Sequence, residues 1–387
     1  MIKTGTTSMI RDYNQTLILE NIIQEKVISR AALSKKLGLT KATVSAIIEV
    51  LIGNNLVIET GNKDTEKGRK PINLMLNSEA GYVISINLDA TCVTAAISNL
   101  TGEDIHIDSF AMDITPEYII KNLEHVINGM ANYVDGGLVR IKGITIGIHG
   151  VVLDNQIVFT PYYNLNNIDI KKELETIFNI PIYLENEANL SALGELAYCK
   201  QYDNMALLSI HTGVGIGFIA NGELYSGFSG HAGEFGHTTI EVDGRECPCG
   251  AKGCLEQYIS ERAIIKEYRE LTNNNKATIS DFINEYQANS KNAITVMNNF
   301  IKYTSVAIRN ITNMLNPDII IIDSTITNNC PNIVDDIKNQ IHPSLQRICT
   351  LMPSGIKNDN ILKGGIANSI CKFLDIHHLY LNNYYNN

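Results

Sequence analysis

The sequence lacks the features that mark secreted, membrane-spanning and disulfide-stabilised proteins. Its first residues, MIKTGTTSMIRDYNQ, contain no apolar core of the kind that a secretory signal peptide requires. No apolar run approaches the roughly 18–20 residues that cross a bilayer. Eight cysteines spread over 387 residues do not form the dense pattern of a disulfide framework. We therefore expect a cytoplasmic protein that works in a reducing environment and has no membrane partner.

The charge of the chain is divided unevenly between its two ends. A chain of 387 residues with 44% hydrophobic and 19% charged residues is expected to form two or three globular domains. Residues 1–75 hold eleven Lys and Arg against seven Asp and Glu, a net charge of +4. The remainder holds 20 basic and 34 acidic residues, a net charge of −14. A basic head on an acidic body indicates that the head meets a polyanion and the body does not.

Residues 15–61 carry the pattern of a helix-turn-helix unit. Apolar spacing predicts a first helix around residues 17–23, a short second helix over Arg30–Leu37 and a third helix over Lys41–Gly53. Gly38 ends the second helix and Thr40 caps the third, which gives the tight turn that joins the two.

The start of the third helix and the loop after residue 60 predict contacts with DNA. A recognition helix enters the major groove with its first residues, so small polar and cationic side chains there can meet base edges and phosphates. The loop, with GRKP at its tip, predicts a β-wing that reaches into a minor groove. The predicted DNA-binding residues are Thr40, Lys41, Thr43, Ser45, Arg69 and Lys70. The alternative is a helical oligomerisation module with a solvated loop.

Residues 237–254 carry the spacing of a metal site. Cys247 follows His237 by ten residues, and Cys249 and Cys254 follow at further intervals of two and five. One imidazole and three thiolates form a closed tetrahedral set that suits Zn²⁺ and leaves no position for a catalytic water. The spacing predicts a structural zinc site, and the alternative is a set of free thiols on a surface loop.

Beyond residue 81 the pattern changes to strands that alternate with helices. The stretches YVISINLDATCVTAAISNL, IKGITIGIHG and MALLSIHTGVGIGFIA predict buried strands, and residues 117–133 and 170–178 predict helices. This alternation indicates an α/β body.

Through essentially its whole length the chain resembles the ROK family of sugar kinases and sugar-responsive repressors. The resemblance rests on TIGIHG, ENEAN, HTGVGIG, GHAGEFGH and CPCGAKGCLE, preceded by a winged helix as in the family's repressors. It implies a winged helix-turn-helix domain over residues 1–78. Over residues 79–387 it implies a two-lobed α/β body with the actin-like ATPase fold of the ROK sugar kinases. Sugar would bind in the cleft between the lobes, and the zinc knuckle would lie at residues 237–254.

The resemblance also implies which residues line the sugar pocket. In the family the Glu of GEFGH, its His and the Glu of GCLE face the sugar, which gives Glu234, His237 and Glu256 here. Carboxylates suit vicinal hydroxyls because each oxygen accepts a hydrogen bond from an O–H group. A metal would fix one nitrogen of His237 and leave the other to face the ligand. The other predicted contacts are Asn186 and Glu187 of ENEAN, on the opposite wall, and Asn164.

The stretches that bind nucleotide in the family's kinases are altered here. The phosphate loop D-x-G-G-T-K reads NLDATC, so Asn87, Asp89 and Ala90 replace the Asp and both glycines. His211 stands at the first glycine of the second phosphate motif, and Asp323 stands where the third motif carries glycines. A bare backbone that can approach phosphates becomes a loop whose carboxylate repels them. We therefore predict that the body binds sugar without ATP and is not an enzyme.

The resemblance implies a sugar-responsive repressor of carbohydrate-utilisation genes. A two-fold symmetric homodimer, or a higher homo-oligomer, would bind a palindromic operator in double-stranded DNA and release it when sugar closes the cleft. The GRKP wing and the NEAN form most resemble the xylose-responsive repressors of the family, with glucose, N-acetylglucosamine or another hexose as alternative effectors. Two other functions stay open. One is a sugar kinase with a regulatory head, and the other is a constitutive DNA-binding protein with an inactive pocket.

Overall fold

The chain begins with a winged helix-turn-helix head. The computed structural model describes residues 7–61, 72–89, 92–160, 163–199, 202–346 and 350–381. The elements of the head are α1 (Thr7–Glu25), β1 (Ile28–Ser29), α2 (Arg30–Leu37), α3 (Lys41–Gly53), β2 (Val57–Thr60) and β3 (Asn73–Leu76). β3 pairs antiparallel with both β1 and β2, so the three strands form one small sheet beside the helices.

Local sequence explains the turn between α2 and α3. α2 ends at Gly38, whose φ of 66° lies in the left-handed region that glycine adopts without strain. The side-chain oxygen of Thr40 accepts a hydrogen bond from the N–H of Thr43 and caps α3. The predicted bounds of α2 and α3 are confirmed. The wing tip, with Arg69 and Lys70, lies outside the described residues.

The body consists of two lobes, each built around a five-stranded sheet. The first lobe contains β4 (Tyr82–Leu88), β5 (Cys92–Asn99), β6 (His106–Ala111), α4 (Ile119–Ala131), β7 (Ile141–Ile148), β8 (Val151–Leu153), β9 (Gln156–Phe159), α5 (Ile170–Phe178), β10 (Ile182–Asn186) and α6 (Glu187–Tyr198). The second lobe contains β11 (Met205–Ile210), β12 (Val214–Ala220), β13 (Glu223–Leu224), α7 (Glu256–Ile259), α8 (Glu261–Thr272), α9 (Ile279–Gln287), α10 (Lys291–Leu315), β14 (Ile319–Ser324), α11 (Thr325–Asn329), α12 (Ile333–Asn339), α13 (Pro343–Gln346) and β15 (Thr350–Pro353). The last helix, α14 (Asn360–Leu374), returns to the first lobe.

The two large sheets have the same strand order. The order is β6-β5-β4-β7-β10 in the first lobe and β13-β12-β11-β14-β15 in the second. In each sheet three sequential strands are antiparallel neighbours, and two later strands join in parallel. β11 and β14 are buried along their whole length, which explains their nearly continuous apolar sequences. This duplicated arrangement confirms the predicted two-lobed architecture.

The helices α6 and α14 connect the lobes with each other and with the head. α14 packs against α6 and against β4 and β7 of the first sheet, and α6 also contacts β11 and β12 of the second sheet. Ile18 and Ile22 of α1 belong to the same buried apolar cluster as Ile366 and Ile370 of α14. The head is therefore packed directly on the body. The predicted boundary at residue 78 falls in the 3₁₀ turn Ser78–Ala80, between β3 and β4.

Every helix in the described parts of the chain is too short or too polar to cross a lipid bilayer.

Candidate functional site

Four side chains in the second lobe form a compact cluster that could hold a metal ion. His237 lies at the end of the 3₁₀ turn Phe235–His237, and Cys247, Cys249 and Cys254 lie on the loop that follows. Their ligand atoms all lie within 4.8 Å of one another. The Nδ1 of His237 is 3.6 Å from the Sγ of Cys247, and the Sγ atoms of Cys249 and Cys254 are 3.7 Å apart. The structure thus brings together the four ligands that the spacing predicts.

Two glycines shape the loop that carries the thiols. Gly250 has a φ of 92° and Gly253 a φ of 72°, in the region where a side chain would be strained. A Cβ on Gly253 would also clash with the carbonyl oxygen of Glu241. The N–H of Leu255 donates to the carbonyl of Thr238 at 3.0 Å, so the loop closes back on the turn that carries the histidine.

The cluster adjoins two of the predicted sugar-binding carboxylates. The Nε2 of His237, the ring nitrogen that does not face the thiols, lies 3.9 Å from a carboxylate oxygen of Glu234. Glu256 begins α7 two residues after Cys254 and is 5% exposed. Its Oε1 lies 3.4 Å from the Nη2 of Arg262. Anything that fixes the four ligands therefore also sets the positions of both carboxylates.

Glu187, at the start of α6, interacts electrostatically with Glu234. Burial raises the pKa of Glu187 to about 7, and the nearby carboxylate of Glu234 adds to the rise. Burial also raises the pKa of Glu234, where the charge of His237 opposes the rise and that of Glu256 supports it. Glu234 therefore interacts electrostatically with both Glu187 and Glu256. Several neighbouring acceptors are what a ligand with several hydroxyl groups needs.

The two predicted asparagines differ in their surroundings. The Oδ1 of Asn186 caps α6 by accepting hydrogen bonds from the N–H groups of Ala188 and Asn189, at 2.8 and 3.2 Å. Its Nδ2 donates to the carbonyl of Gly150 at 2.9 Å, which holds the start of α6 in place. Asn164 is exposed on the loop after β9, and within the described residues no hydrogen bond or ion pair ties its side chain to the three glutamates. Contact of either asparagine with sugar stays a prediction.

The altered nucleotide-binding positions lie at the carboxyl ends of central strands, where ligands bind in open α/β sheets. In the first lobe the Nε2 of His149, just after β7, is 3.1 Å from the Oδ1 of Asn87 near the end of β4. In the second lobe the Nε2 of His211, just after β11, is 3.4 Å from the Oδ2 of Asp323 in β14. The Nδ1 of the same ring is 3.7 Å from the Oε1 of Glu261. These ends therefore carry polar side chains that contact each other.

This group of residues is anionic overall. Burial lowers the pKa of His149 to about 4, with Asp89 opposing the change and His211 supporting it, so the ring is neutral near pH 7. Burial also acts to lower the pKa of His211, but its hydrogen bonds and charge interactions with Asp323 and Glu261 raise it to about 10. The group therefore contains one imidazolium, that of His211, and three carboxylates, those of Asp89, Glu261 and Asp323.

Two members of this group are not predicted from the sequence. His149 belongs to TIGIHG, one of the motifs that carry the family resemblance, and the sequence predicts no side-chain network for it. Glu261 follows the N-cap Ser260 and looks like an ordinary acidic residue in the first turn of a helix. A motif search cannot find either one, because each acts through a partner distant in sequence. Ala90, the remaining altered position, lies outside the described residues.

The predicted DNA-contacting end of α3 is open to solvent. Thr40 and Lys41 are exposed, and Thr43 and Ser45 are half-buried. The hydroxyl oxygens of Thr40 and Thr43 lie 2.8 Å apart. The opposite face of the helix packs into the head through Val44, Ile47, Ile48 and Leu51. α3 therefore presents its first turn outward, and its contact with DNA stays a prediction.

Comparisons with known sequences extend over almost the whole chain. The sequence profile of the ROK family matches residues 83–364. A xylose repressor of Bacillus spizizenii is 35% identical over 381 residues, which cover 95% of this chain and 98% of the relative. A xylose repressor of Staphylococcus xylosus is 32% identical over 387 residues, which cover 97% of this chain and 99% of the relative. The similarity therefore includes the head as well as the body.

Two solved structures share the fold. A ROK family transcriptional regulator, homologous to the MLC protein of E. coli, has a TM-score of 0.80 and 26% identity, and the match covers 95% of this chain and 97% of that one. A ROK family glucokinase from Streptomyces griseus, solved in complex with glucose and AMPPNP, has a TM-score of 0.67 and 21% identity, and covers 74% of this chain and 98% of that one. With a family profile that matches most of its length and relatives of full length, the chain belongs to the ROK family.

Proposed function

We propose that the chain is a transcriptional repressor that binds operator DNA through its head and releases it when D-xylose binds in the cleft. The observation that carries the proposal is that Glu234 interacts electrostatically with both Glu187 and Glu256, in a chain that also has a winged helix-turn-helix head. The full-length relatives named xylose repressors support the same function and the same sugar. Two chains related by two-fold symmetry would present both heads to a palindromic operator.

The test measures DNA binding and sugar binding on the same full-length chain. A duplex that the chain selects from a randomised DNA pool serves as the operator, and fluorescence anisotropy gives its Kd. We expect saturating D-xylose to weaken duplex binding by roughly tenfold or more, with glucose and N-acetylglucosamine as comparison sugars. A Kd that no sugar changes would instead favour a constitutive DNA-binding protein.

We also propose that the cluster of His237 and the three cysteines holds one structural zinc ion. Bond lengths of about 2.3 Å for Zn–S and 2.0–2.1 Å for Zn–N give a tetrahedron with S···S edges of about 3.8 Å and S···N edges of about 3.6 Å. One S···S distance here is 3.7 Å and one S···N distance is 3.6 Å, and all four ligand atoms lie within 4.8 Å of one another. The donor set of three thiolates and one imidazole suits Zn²⁺ and fills all four positions. Bound zinc would therefore brace one wall of the sugar pocket.

We further propose that the body does not use ATP. Nucleotide phosphates are polyanions, and the strand ends that would face them carry Asp89 and Asp323, with Glu261 at the start of α8 beside the imidazolium of His211. Like charges at such short range oppose binding. Purified chain should therefore consume no ATP in the presence of D-xylose or glucose. Sugar-dependent ATP consumption would favour the alternative, a sugar kinase with a regulatory head.

The first turn of α3 is expected to decide sequence-specific binding. Thr43→Ala and Ser45→Ala should each weaken binding to the selected duplex by roughly 5- to 150-fold, equivalent to about 1–3 kcal/mol. Binding to random duplex should change little, because contacts with random DNA are mainly with phosphates. Thr295→Ala, at an exposed position on α10, is the matched control and should bind both duplexes like the parent. An equal loss on both duplexes would contradict the assignment of these two residues.

Sugar affinity is expected to rise with pH through the neutral range. The pKa of Glu187 is raised to about 7, so its carboxyl group is largely protonated at pH 6 and largely ionised at pH 8. Sugar binding favours the ionised form, because a carboxylate accepts hydrogen bonds from hydroxyls more strongly than a protonated acid does. Calorimetry should show affinity for D-xylose increasing by up to about tenfold from pH 6 to pH 8. Glu187→Gln should lower the affinity and flatten the profile, and a flat profile in the parent would contradict the prediction.

A further inference from the structure

The head is bonded to the last described residues of the body. One carboxylate oxygen of Glu20, on α1, accepts hydrogen bonds from the N–H groups of His377 and His378, each at 2.9 Å. The Oγ1 of Thr16, one turn earlier on α1, donates to the carbonyl of Asp375 at 3.1 Å. Hydrogen bonds to a charged acceptor are roughly twice as strong as neutral ones. Residues 375–379, called the tail segment below, are therefore held by the head as well as by the body.

Apolar packing joins the same two surfaces. Ile18 and Ile22 of α1 are fully buried, and they belong to one apolar cluster with Ile376 and Leu379 of the tail segment. Close-packed side chains transmit displacement because they leave no free volume to absorb it. A shift of the tail segment would therefore move α1, and with it the head.

The other side of the tail segment faces an open cleft. This cleft has a volume of about 820 Å³ and is lined by the tail segment, by α6 and α14, and by the outer strands β10 and β13 of the two large sheets. A segment that is packed on one side and open on the other can shift at lower cost than a segment enclosed by the core. The tail segment therefore contacts α1 on one side and has free space in the cleft on the other side, into which it can shift.

The helices α6 and α14 lead from the sugar site to the tail segment. α6 begins at Glu187, and α14 ends where the tail segment begins. A Cβ on Gly194 would lie 2.5 Å from the carbonyl oxygen of Asn360, and a Cβ on Gly364 would overlap the carbonyl oxygen of Leu190. The two helix backbones thus touch, and neither can move far without the other. A displacement at the start of α6 would reach the end of α14.

We propose that the sugar signal reaches the DNA-binding head through α6, α14 and the tail segment, and that Glu20 is the positioning residue that joins the tail segment to the head. The inference rests on the proposed repressor function and adds its route of regulation. Sugar and operator are coupled to the extent that the chain binds sugar differently in its operator-bound and operator-free states. Weakening the contact between Glu20 and the tail segment should therefore reduce the effect of sugar on operator binding while leaving the sugar pocket intact.

Two substitutions of Glu20 test the contact between the head and the tail segment, and a third substitution on the same helix is the control. Glu20→Gln keeps the size of the side chain and removes its charge, and Glu20→Ala removes the acceptor. Glu25→Gln is the matched control, because the carboxylate of Glu25 bonds to the Nζ of Lys36 inside the head, at 2.7 Å. On each full-length chain, calorimetry gives the Kd for D-xylose. Anisotropy gives the Kd for the selected duplex with and without saturating xylose.

We expect every variant to bind D-xylose within about twofold of the parent. The ratio of the two duplex Kd values should fall by about fivefold or more in both Glu20 variants and stay at the parent's value in Glu25→Gln. An unchanged ratio in both Glu20 variants would overturn the inference. A loss of xylose binding in these variants would also overturn it, because it would show that the contact at Glu20 only stabilises the fold. If xylose does not change the duplex Kd of the parent chain, the proposed function and this inference are both wrong. That measurement on the parent precedes the work on the variants, so the two kinds of failure are distinguishable.

Discussion

Replacing Glu256 with Gln is expected to produce a super-repressor that holds operator DNA at sugar concentrations that release the parent. Gln keeps the size of the side chain but presents a neutral amide to the ligand. Losing one charge-assisted hydrogen bond costs about 1.5–3 kcal/mol, which lowers sugar affinity by roughly 10- to 150-fold. Operator affinity without sugar should match that of the parent, because Glu256 lies in the second lobe and not in the head. Calorimetry with D-xylose and anisotropy with the selected duplex measure the two quantities separately.

A purely structural role of Glu256 predicts a different outcome. Its Oε1 lies 3.4 Å from the Nη2 of Arg262, and Cys254 is two residues away. If Glu256 only braced the thiol loop, Glu256→Gln would lower the metal content and the Tm and would leave intrinsic sugar affinity almost unchanged. Glu246→Gln is the matched control, because Glu246 is an exposed carboxylate on the same loop. Equal sugar affinities of Glu256→Gln and the parent would remove Glu256 from the pocket.

Sequence alone predicts the parts of the site whose residues lie close together along the chain. The bounds of α2 and α3 follow from a capping threonine, a turn glycine and apolar spacing, all of which act within one or two helical turns. The four ligands of the metal cluster lie within 18 residues, so their spacing is informative without any knowledge of the fold. The two-lobed body requires the family resemblance, since strand patterns alone do not give the strand order.

Contacts between distant residues are beyond this kind of prediction. The contact between Asn87 and His149 joins residues 62 apart, and the bonds to Glu20 join residues about 357 apart. Neither separation leaves a periodic pattern in the sequence. Asn186 has a local role beside the sugar contact that the resemblance implies: its side chain caps α6 and donates a hydrogen bond to the carbonyl of Gly150. An asparagine just before a helix is a strong N-cap, and this local role is compatible with a site next to it.

Loss of one thiol ligand is expected to reduce metal content, stability and sugar binding together. Cys249 is exposed, so Cys249→Ser removes no buried packing, and any loss of stability reports on the metal. A structural zinc site contributes about 10–16 kcal/mol to folding in small peptides, or about 3 kcal/mol for each of four ligands. A loss of about 3 kcal/mol lowers Tm by roughly 6–12 °C in a unit the size of one lobe. Elemental analysis should find about one zinc ion per parent chain and far less in the variant. Cys330→Ser, at a half-buried cysteine outside the cluster, should keep the parent's metal content and Tm.

Sugar affinity then separates the local role of the cluster from general stability. Well below its lowered Tm the Cys249→Ser chain is folded, yet the ring of His237 is no longer held from its Nδ1 side. Glu234, 3.9 Å from the other ring nitrogen, loses its positioning with it. Loss of such supporting contacts typically costs about 10- to 100-fold in the function that they support, so affinity for D-xylose should fall within that range. Operator binding without sugar should persist, because the head packs on α14 and on the tail segment, whereas the thiol loop lies in the second lobe. A folded chain without metal that binds xylose like the parent would show that the cluster and the pocket are independent. A Cys249→Ser chain that keeps its zinc and its Tm would instead show that Cys249 is not a ligand.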